Sequence, residues 1–174
     1  MKIGILSDTH GQQERTASAI QLLQHRGAQY YLHCGDIGGT VILDLLAGLP
    51  AAYVWGNCDY SRSELDRYAA ALGIRCCGPM GRLELGGKQV VFLHGDNPRD
   101  IARLLMEDSC HYLCYGHTHA QEDRRDGRMH IINPGALYRV TRKTVALLDT
   151  DTDKVEFLDV AEPANASHMQ GHFI

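Results

Sequence analysis

Over its first two thirds the chain alternates short runs of Val, Ile and Leu with amphipathic segments, and this alternation constrains the fold more than any other property. Residues 2–7 (KIGILS), 29–34 (QYYLHC), 51–55 (AAYVW), 89–94 (QVVFLH) and 111–116 (HYLCYG) read as buried strands. Between them lie helical patterns with recognisable ends. One covers about 12–26 and stops at Gly27, and a second starts after Thr40, carries Val41, Ile42, Leu45 and Leu46 on one side, and stops at Gly48. A third begins at Ser61, with Glu64 at the spacing of a capping box, and ends at Gly73. A fourth opens with Asn97 and Pro98 and carries the stripe Ile101, Leu104, Leu105. Strand and helix in alternation imply an α/β domain with parallel pairing.

After residue 128 the pattern holds strands only, at 129–133, 137–142, 144–150 and 154–160, separated by short turns as in a meander. A Gly-Gly hairpin over 81–94 precedes them. The expectation is a second, more antiparallel sheet facing the first, with helices outside. One domain over 1–160 accommodates all of this, and 161–174 reads as a loosely held tail.

Composition excludes several classes. The 174 residues are 44% apolar, enough for an ordinary core, yet no run approaches the roughly 18–20 apolar residues that cross a bilayer. The opening MKIGILSDTH meets a carboxylate and a histidine too early for a signal peptide, which points to the cytoplasm. The six cysteines lack paired zinc-knuckle spacing and read as reduced thiols, small buried hydrophobes in every case except Cys58. A net charge of −4 argues against a general nucleic-acid-binding surface. The one Arg-rich stretch, 122–129, is interleaved with acids around Asp126 and Gly127 and reads as a solvated hairpin tip.

The chemistry emerges just past the end of each core strand. Asp8, Thr9 and His10 lie beyond the first, Gly35 and Asp36 beyond the second, and Asn57, Cys58 and Asp59 beyond the third. His94, Gly95 and Asp96 end the hairpin strand, and Gly116, His117, Thr118 and His119 end the fifth. A single such residue is ordinary: Asp and Asn after strands are mostly turn residues or caps, and His33, His130, His168 and His172 keep that plain reading. Recurrence at five strand ends is not ordinary, because ligands of an open α/β sheet gather at its carboxyl ends. Histidine nitrogens together with carboxylate and amide oxygens suit Mn, Fe, Ni, Co or Zn ions. The seven candidates Asp8, His10, Asp36, Asn57, His94, His117 and His119 are too many for one ion and suit two that share a carboxylate.

In this order, DTH at 8–10, GD at 35–36, GNCD at 56–59, HG at 94–95 and GHTH at 116–119 resemble the calcineurin-like metallophosphoesterases, in particular their small YfcE-type phosphodiesterase branch. NPGA at 133–136 resembles the Asn-Pro-Gly-Ser stretch of that branch, with Ala136 in place of Ser. The resemblance implies a four-layer α/β sandwich of two mixed β-sheets flanked by α-helices. It also implies that Asp8, His10 and His119 hold one ion, Asn57, His94 and His117 the other, and that Asp36 bridges them. Mn is the first expectation for the two divalent ions, with Ni, Fe, Co or Zn as alternatives. Such a pair would generate a bridging hydroxide that attacks phosphorus in a small phosphodiester or phosphomonoester. Two ions and two aspartates would leave a positive pocket in a negative chain, so an anionic substrate needs no basic surface.

The superfamily usually places His, the proposed general acid, where this chain has Cys58. Cys58 is thus expected in the active site, with Asp59 orienting the hydrogen bonds beside it. Alternatives are a non-enzymatic scaffold of the same fold, like the retromer subunit that has lost part of the ligand set, and a mononuclear or thiol-based redox protein. All four histidine ligand positions are present here, and the thiols lack ligand spacing. The sequence leaves a homo-oligomer open.

Overall fold

A computed structural model describes residues 1–161. The expectations for His168, His172 and all but the first residue of the tail lie outside those residues. The first half runs β1 (Lys2–Leu6), α1 (Gln13–His25), β2 (Tyr30–His33), α2 (Thr40–Leu46), β3 (Ala51–Tyr53), α3 (Arg62–Ala71) and β4 (Arg75–Cys76). The second half runs β5 (Met80–Leu85), β6 (Lys88–Leu93), α4 (Pro98–Glu107), β7 (Tyr112–Cys114), β8 (Gln121–Asp126), β9 (Met129–Pro134), β10 (Thr144–Asp149) and β11 (Lys154–Asp159).

These strands form two mixed sheets, in the orders β11-β10-β1-β2-β3-β4 and β5-β6-β7-β9-β8. Side-chain alternation divides the core into three layers. Ile3 and Ile5 of β1 face the other sheet, where they meet Phe92 and Ile132, whereas Leu6 faces the helices with Leu23 of α1, Leu43 of α2 and Leu65 of α3. Likewise Val90 and Phe92 of β6 point between the sheets, while Val91 and Leu93 pack on Leu104 of α4. Helices, sheet, sheet and helix therefore stack as four layers, as expected. Asn97 caps α4, its side chain accepting from the Arg99 amide at 3.2 Å, and Pro98 opens the helix without wasting a donor.

Several expectations need correction. The carboxy-terminal strands do not form one meander: β9 inserts between β7 and β8 in the second sheet, while β10 and β11 extend the first sheet antiparallel from β1. The strands at 89–94 and 111–116 belong to the second sheet, paired in parallel. Period-two patterning states which residues are buried and not which strand lies alongside. No strand forms at 137–142; those residues are a bent loop, with Arg139 at φ 53°. Nor does Ser61 form a capping box, since its side chain makes no cap hydrogen bond. The Arg-rich hairpin has Asp126 paired with Met129, so its loop is Gly127-Arg128 and most of the patch is the exposed strand β8. Cys76 and Cys77 are half-buried, unlike Cys34, Cys110 and Cys114, because they lie on and just after the edge strand β4.

Candidate metal centre

The carboxyl ends of β1, β2, β3, β6 and β7 lie together, and all seven expected ligands sit just beyond them. Five of the seven adopt left-handed backbone: Asp8 (φ 53°), His10 (φ 43°), Asp36 (φ 55°), His117 (φ 63°) and His119 (φ 58°). Each such residue costs about 1–2 kcal/mol, so the surroundings must hold it. They do so through cross-loop hydrogen bonds: Asp8 N donates to Gly35 O (3.1 Å), His10 N to Asp36 O (2.9 Å), and Gly116 N to His94 O (2.9 Å).

Donor atoms converge in two groups. In the first, His119 Nε2 lies 3.1 Å and His10 Nε2 4.0 Å from Asp8 Oδ1. In the second, Asn57 Oδ1 lies 3.0 Å from His94 Nε2 and 3.1 Å from His117 Nδ1, and the two ring nitrogens are 3.3 Å apart. Asp36 Oδ2 stands between the groups, 3.5 Å from His10 Nε2 and 3.4 Å from His94 Nε2. Donors about 2.1 Å from one ion lie roughly 3 Å from each other, and most of these separations are of that size.

Two observations bear on whether such a group fits. Asp8 Oδ1 is buried and makes no well-aligned hydrogen bond, its near neighbours being the ring nitrogens of His119 and His10, a costly arrangement for a carboxylate unless a cation satisfies it. The Nδ1 of His94 lies 2.9 Å from the Cys34 carbonyl, which fixes the proton there and directs the Nε2 lone pair at the acceptor oxygen of Asn57. Two acceptors face each other only if positive charge joins them. Burial lowers the affinity of His94 for a proton, yet the carboxylates of Asp36 and Asp8 outweigh it and raise the net value. Burial likewise raises the Asp36 carboxyl, but the hydrogen bonds from His94 and the Cys58 amide outweigh it and hold the group well below the usual carboxylate range. The residues present fit divalent ions.

The glycines in the motifs have a steric reason. A Cβ on Gly56 would lie 2.0 Å from Asp36 Oδ1 and 2.3 Å from Asp36 N. Gly35 has φ +91°, and a Cβ there would lie 2.8 Å from both Gly56 N and His94 Nδ1. Asp36 can therefore reach its central position only with glycine at both places.

Cys58 is half-exposed beside a cavity of about 340 Å³ whose lining includes Gly39, Asp59, Tyr60 and Glu64. Its amide donates to Asp36 Oδ1 at 2.7 Å, and its sulfur accepts from Asn57 Nδ2 at 3.3 Å. Burial and the Asp36 carboxylate push the thiol up. Asp59 is buried and turned away from the ligands: Oδ1 accepts from Ile37 N (2.9 Å) and Gly38 N (3.1 Å), and Oδ2 from Gly56 N (2.7 Å). It thereby staples the loop after β3 to the loop after β2. Burial raises its carboxyl against the pull of those amides.

Sequence patterns do not mark three supporting residues, Arg62, His33 and Tyr138. Arg62 donates to the carbonyls of Asp59 (3.1 Å) and Gly56 (3.2 Å) while its guanidinium lies over Trp55. His33, pushed down to about 3 by burial and by His94, is neutral and lies 2.9 Å from Thr9 Oγ1, which in turn donates to Ile37 O at 2.9 Å. Tyr138 places its ring 4.8 Å from that of His10. No local signal reveals the roles of His33 and Tyr138, because each partner lies on another loop, whereas Arg62 closes its own loop. Asn133, part of the NPGA stretch, donates to Gly116 O (2.9 Å) and Thr118 Oγ1 (3.1 Å) and so supports the GHTH loop.

The fold and the strand-end cluster define an α/β metallophosphoesterase architecture. The family model for the calcineurin-like phosphoesterase superfamily domain matches residues 1–153, and the chain belongs to that superfamily. Phosphodiesterase MJ0936 of Methanocaldococcus jannaschii is 25% identical over 165 residues, covering 92% of this chain and 98% of the relative. The structure of an archaeal phosphodiesterase superposes with a TM-score of 0.86 at 22% identity, covering 91% of this chain and 99% of that one. That of the E. coli phosphoesterase YfcE gives 0.64 at 21% identity, covering 92% and 100%.

Proposed function

We propose that this protein is a binuclear metal-dependent phosphodiesterase of the cytoplasm acting on small phosphate diesters. The observation that carries the reading is the placement of Asp36 Oδ2 within 3.5 Å of both His10 and His94, between two separate donor groups. In this reading Asp8, His10 and His119 hold one ion, Asn57, His94 and His117 the second, and Asp36 is shared. When bound, a divalent pair supplies Lewis acidity that lowers the pKa of water and offsets charge on the phosphoryl oxygens. The chain's own contribution is geometric and electrostatic. Gly35 and Gly56 let the loops close around Asp36, His94 keeps its lone pair on the site through the Cys34 carbonyl, and Asp59 with Arg62 fixes the loop that presents Asn57. Cys58 lines the cavity beside the donor groups, where its thiol would be within reach of the leaving group of a bound ester.

The test is reconstitution of the metal-stripped chain with Mn, followed by metal analysis and assay of bis-p-nitrophenyl phosphate. Two ions per chain with hydrolysis, and loss of hydrolysis in Asp36→Asn and His94→Ala, are the expected results. One ion or none, or hydrolysis surviving both substitutions, overturns the reading. Two ions without turnover of any diester or monoester would overturn it in favour of the scaffold alternative.

A further inference from the structure

The bent loop at 137–142 carries a feature that the metal centre does not use. The Arg139 guanidinium lies 5.0 Å over the centroid of the Tyr138 ring, and that ring lies 4.8 Å from His10 at an interplanar angle of 44°. A cation, an aromatic ring and an expected ligand thus stack in sequence from the exposed rim inward. Aromatic faces attract cations within about 6 Å, so Tyr138 fixes where the guanidinium stands. Many arginines of this molecule are occupied by carboxylates, as Arg142 by Asp159, Arg125 by Asp153 and Arg124 by Glu122. Among the described residues Arg139 faces a ring instead, which leaves its fork of N–H donors open to an incoming anion.

The backbone supplies an independent sign. Among the described residues, the non-glycine positions with positive φ are Asp8, His10, Asp36, Asp108, His117, His119, Arg139 and Asp153. Asp and His tolerate that region better than most residues, and Arg gains nothing from it. Left-handed backbone at Arg139 has no turn chemistry to recommend it, but it directs this side chain over Tyr138.

We propose that Tyr138 and Arg139 form a specificity subsite for a second anionic group of the substrate, a terminal phosphate carried beyond the scissile diester. The inference rests on the phosphodiesterase reading and deepens it. A planar guanidinium binds phosphate through paired hydrogen bonds, which a metal centre occupied with the scissile group cannot supply to another one. Glu64, which lines the cavity beside Cys58, disfavours anions there, so a second phosphate would be drawn to Arg139 rather than into that cavity.

The test compares thymidylyl-thymidine with and without a 5′-terminal phosphate. Wild type, Arg139→Lys and Arg139→Gly are assayed, the last because glycine keeps the left-handed backbone without the guanidinium. For the Mn-loaded wild type kcat/KM should favour the phosphorylated dinucleotide by about tenfold, carried by KM, as expected of a bidentate charged pair. The preference should vanish in Arg139→Gly and survive in part in Arg139→Lys. Calorimetric binding to the metal-free chain should show the same ranking without turnover. Equal kcat/KM for the two dinucleotides in wild type, or an unchanged preference in Arg139→Gly, overturns the subsite alone. Absence of hydrolysis with every ion overturns the phosphodiesterase reading, and the subsite falls with it.

Discussion

Alanine at Gly56 should damage the site through a single methyl group. Its Cβ would lie 2.0 Å from Asp36 Oδ1 and 2.3 Å from Asp36 N, and the second of these is backbone that no rotamer change can clear. Overpacking of this kind costs about 1–3 kcal/mol. Displacing Asp36 also breaks the 2.7 Å hydrogen bond from the Cys58 amide, a bond to a charged acceptor worth about 1.5–3 kcal/mol. Together the losses come to about 2.5–6 kcal/mol, which for a domain of this size lowers Tm by roughly 5–24 °C. Gly48→Ala is the comparison: φ is +76° but nothing lies within 4 Å of its Cβ, so only backbone strain of about 1 kcal/mol is added. Urea unfolding with a constant m value measures both variants, and calorimetric Mn titration reads the site. Gly56→Ala should lose stability and Mn affinity together, and Gly48→Ala should keep the affinity. A Gly56→Ala protein within about 1 kcal/mol of wild type that binds Mn normally would refute the steric argument.

Asp59→Asn should destabilise by about 1–3 kcal/mol, because an amide cannot accept from Ile37, Gly38 and Gly56 at once. Full stability in chemical denaturation would show that the staple is not what holds the loop. Cys58→His should raise turnover of alkyl diesters with poor leaving groups more than that of activated aryl diesters, since a histidine donates a proton more readily than the upshifted thiol. Equal effects on both substrates, measured as kcat, would remove Cys58 from the leaving-group side. Asp153 lies 2.9 Å from His130; burial raises its carboxyl, but the bonds from His130 and Arg125 outweigh it and lower the net value. A depressed folded value gives stability that is present above the unfolded carboxyl pKa of about 4 and lost as pH falls through the folded one. The Tm gap between wild type and Asp153→Asn should therefore be open at about pH 6 and close below about pH 4, and a gap that stays constant would contradict the linkage.

The convergence of the candidate ligands was readable because its signal is local. Each of Asp8, Asp36, Asn57, His94 and His117 comes after an apolar run, and the glycines beside them mark places where the backbone comes close. The second sheet was misread for the opposite reason. β9 and β10 are both buried at almost every position and carry apolar centres, and that pattern is the same whether a strand joins β7 or β1. The loop at 137–142 shows the same limit: LYRVTR has strand-like composition, yet Tyr138 packs on His10.

Sequence alone determined the α/β class, the helix ends at glycines and the residue types that converge on the centre, because backbone preference and side-chain chemistry act over a few residues. Tertiary structure decided which carboxylate stands between the donor groups, which one staples loops, and where Arg139 is displayed. By residue type alone Asp36 and Asp59 are equally good ligands, and in the sequence only the family resemblance separated them. Only packing of the loops after β2 and β3 aims the first at His10 and His94 and closes three backbone amides around the second.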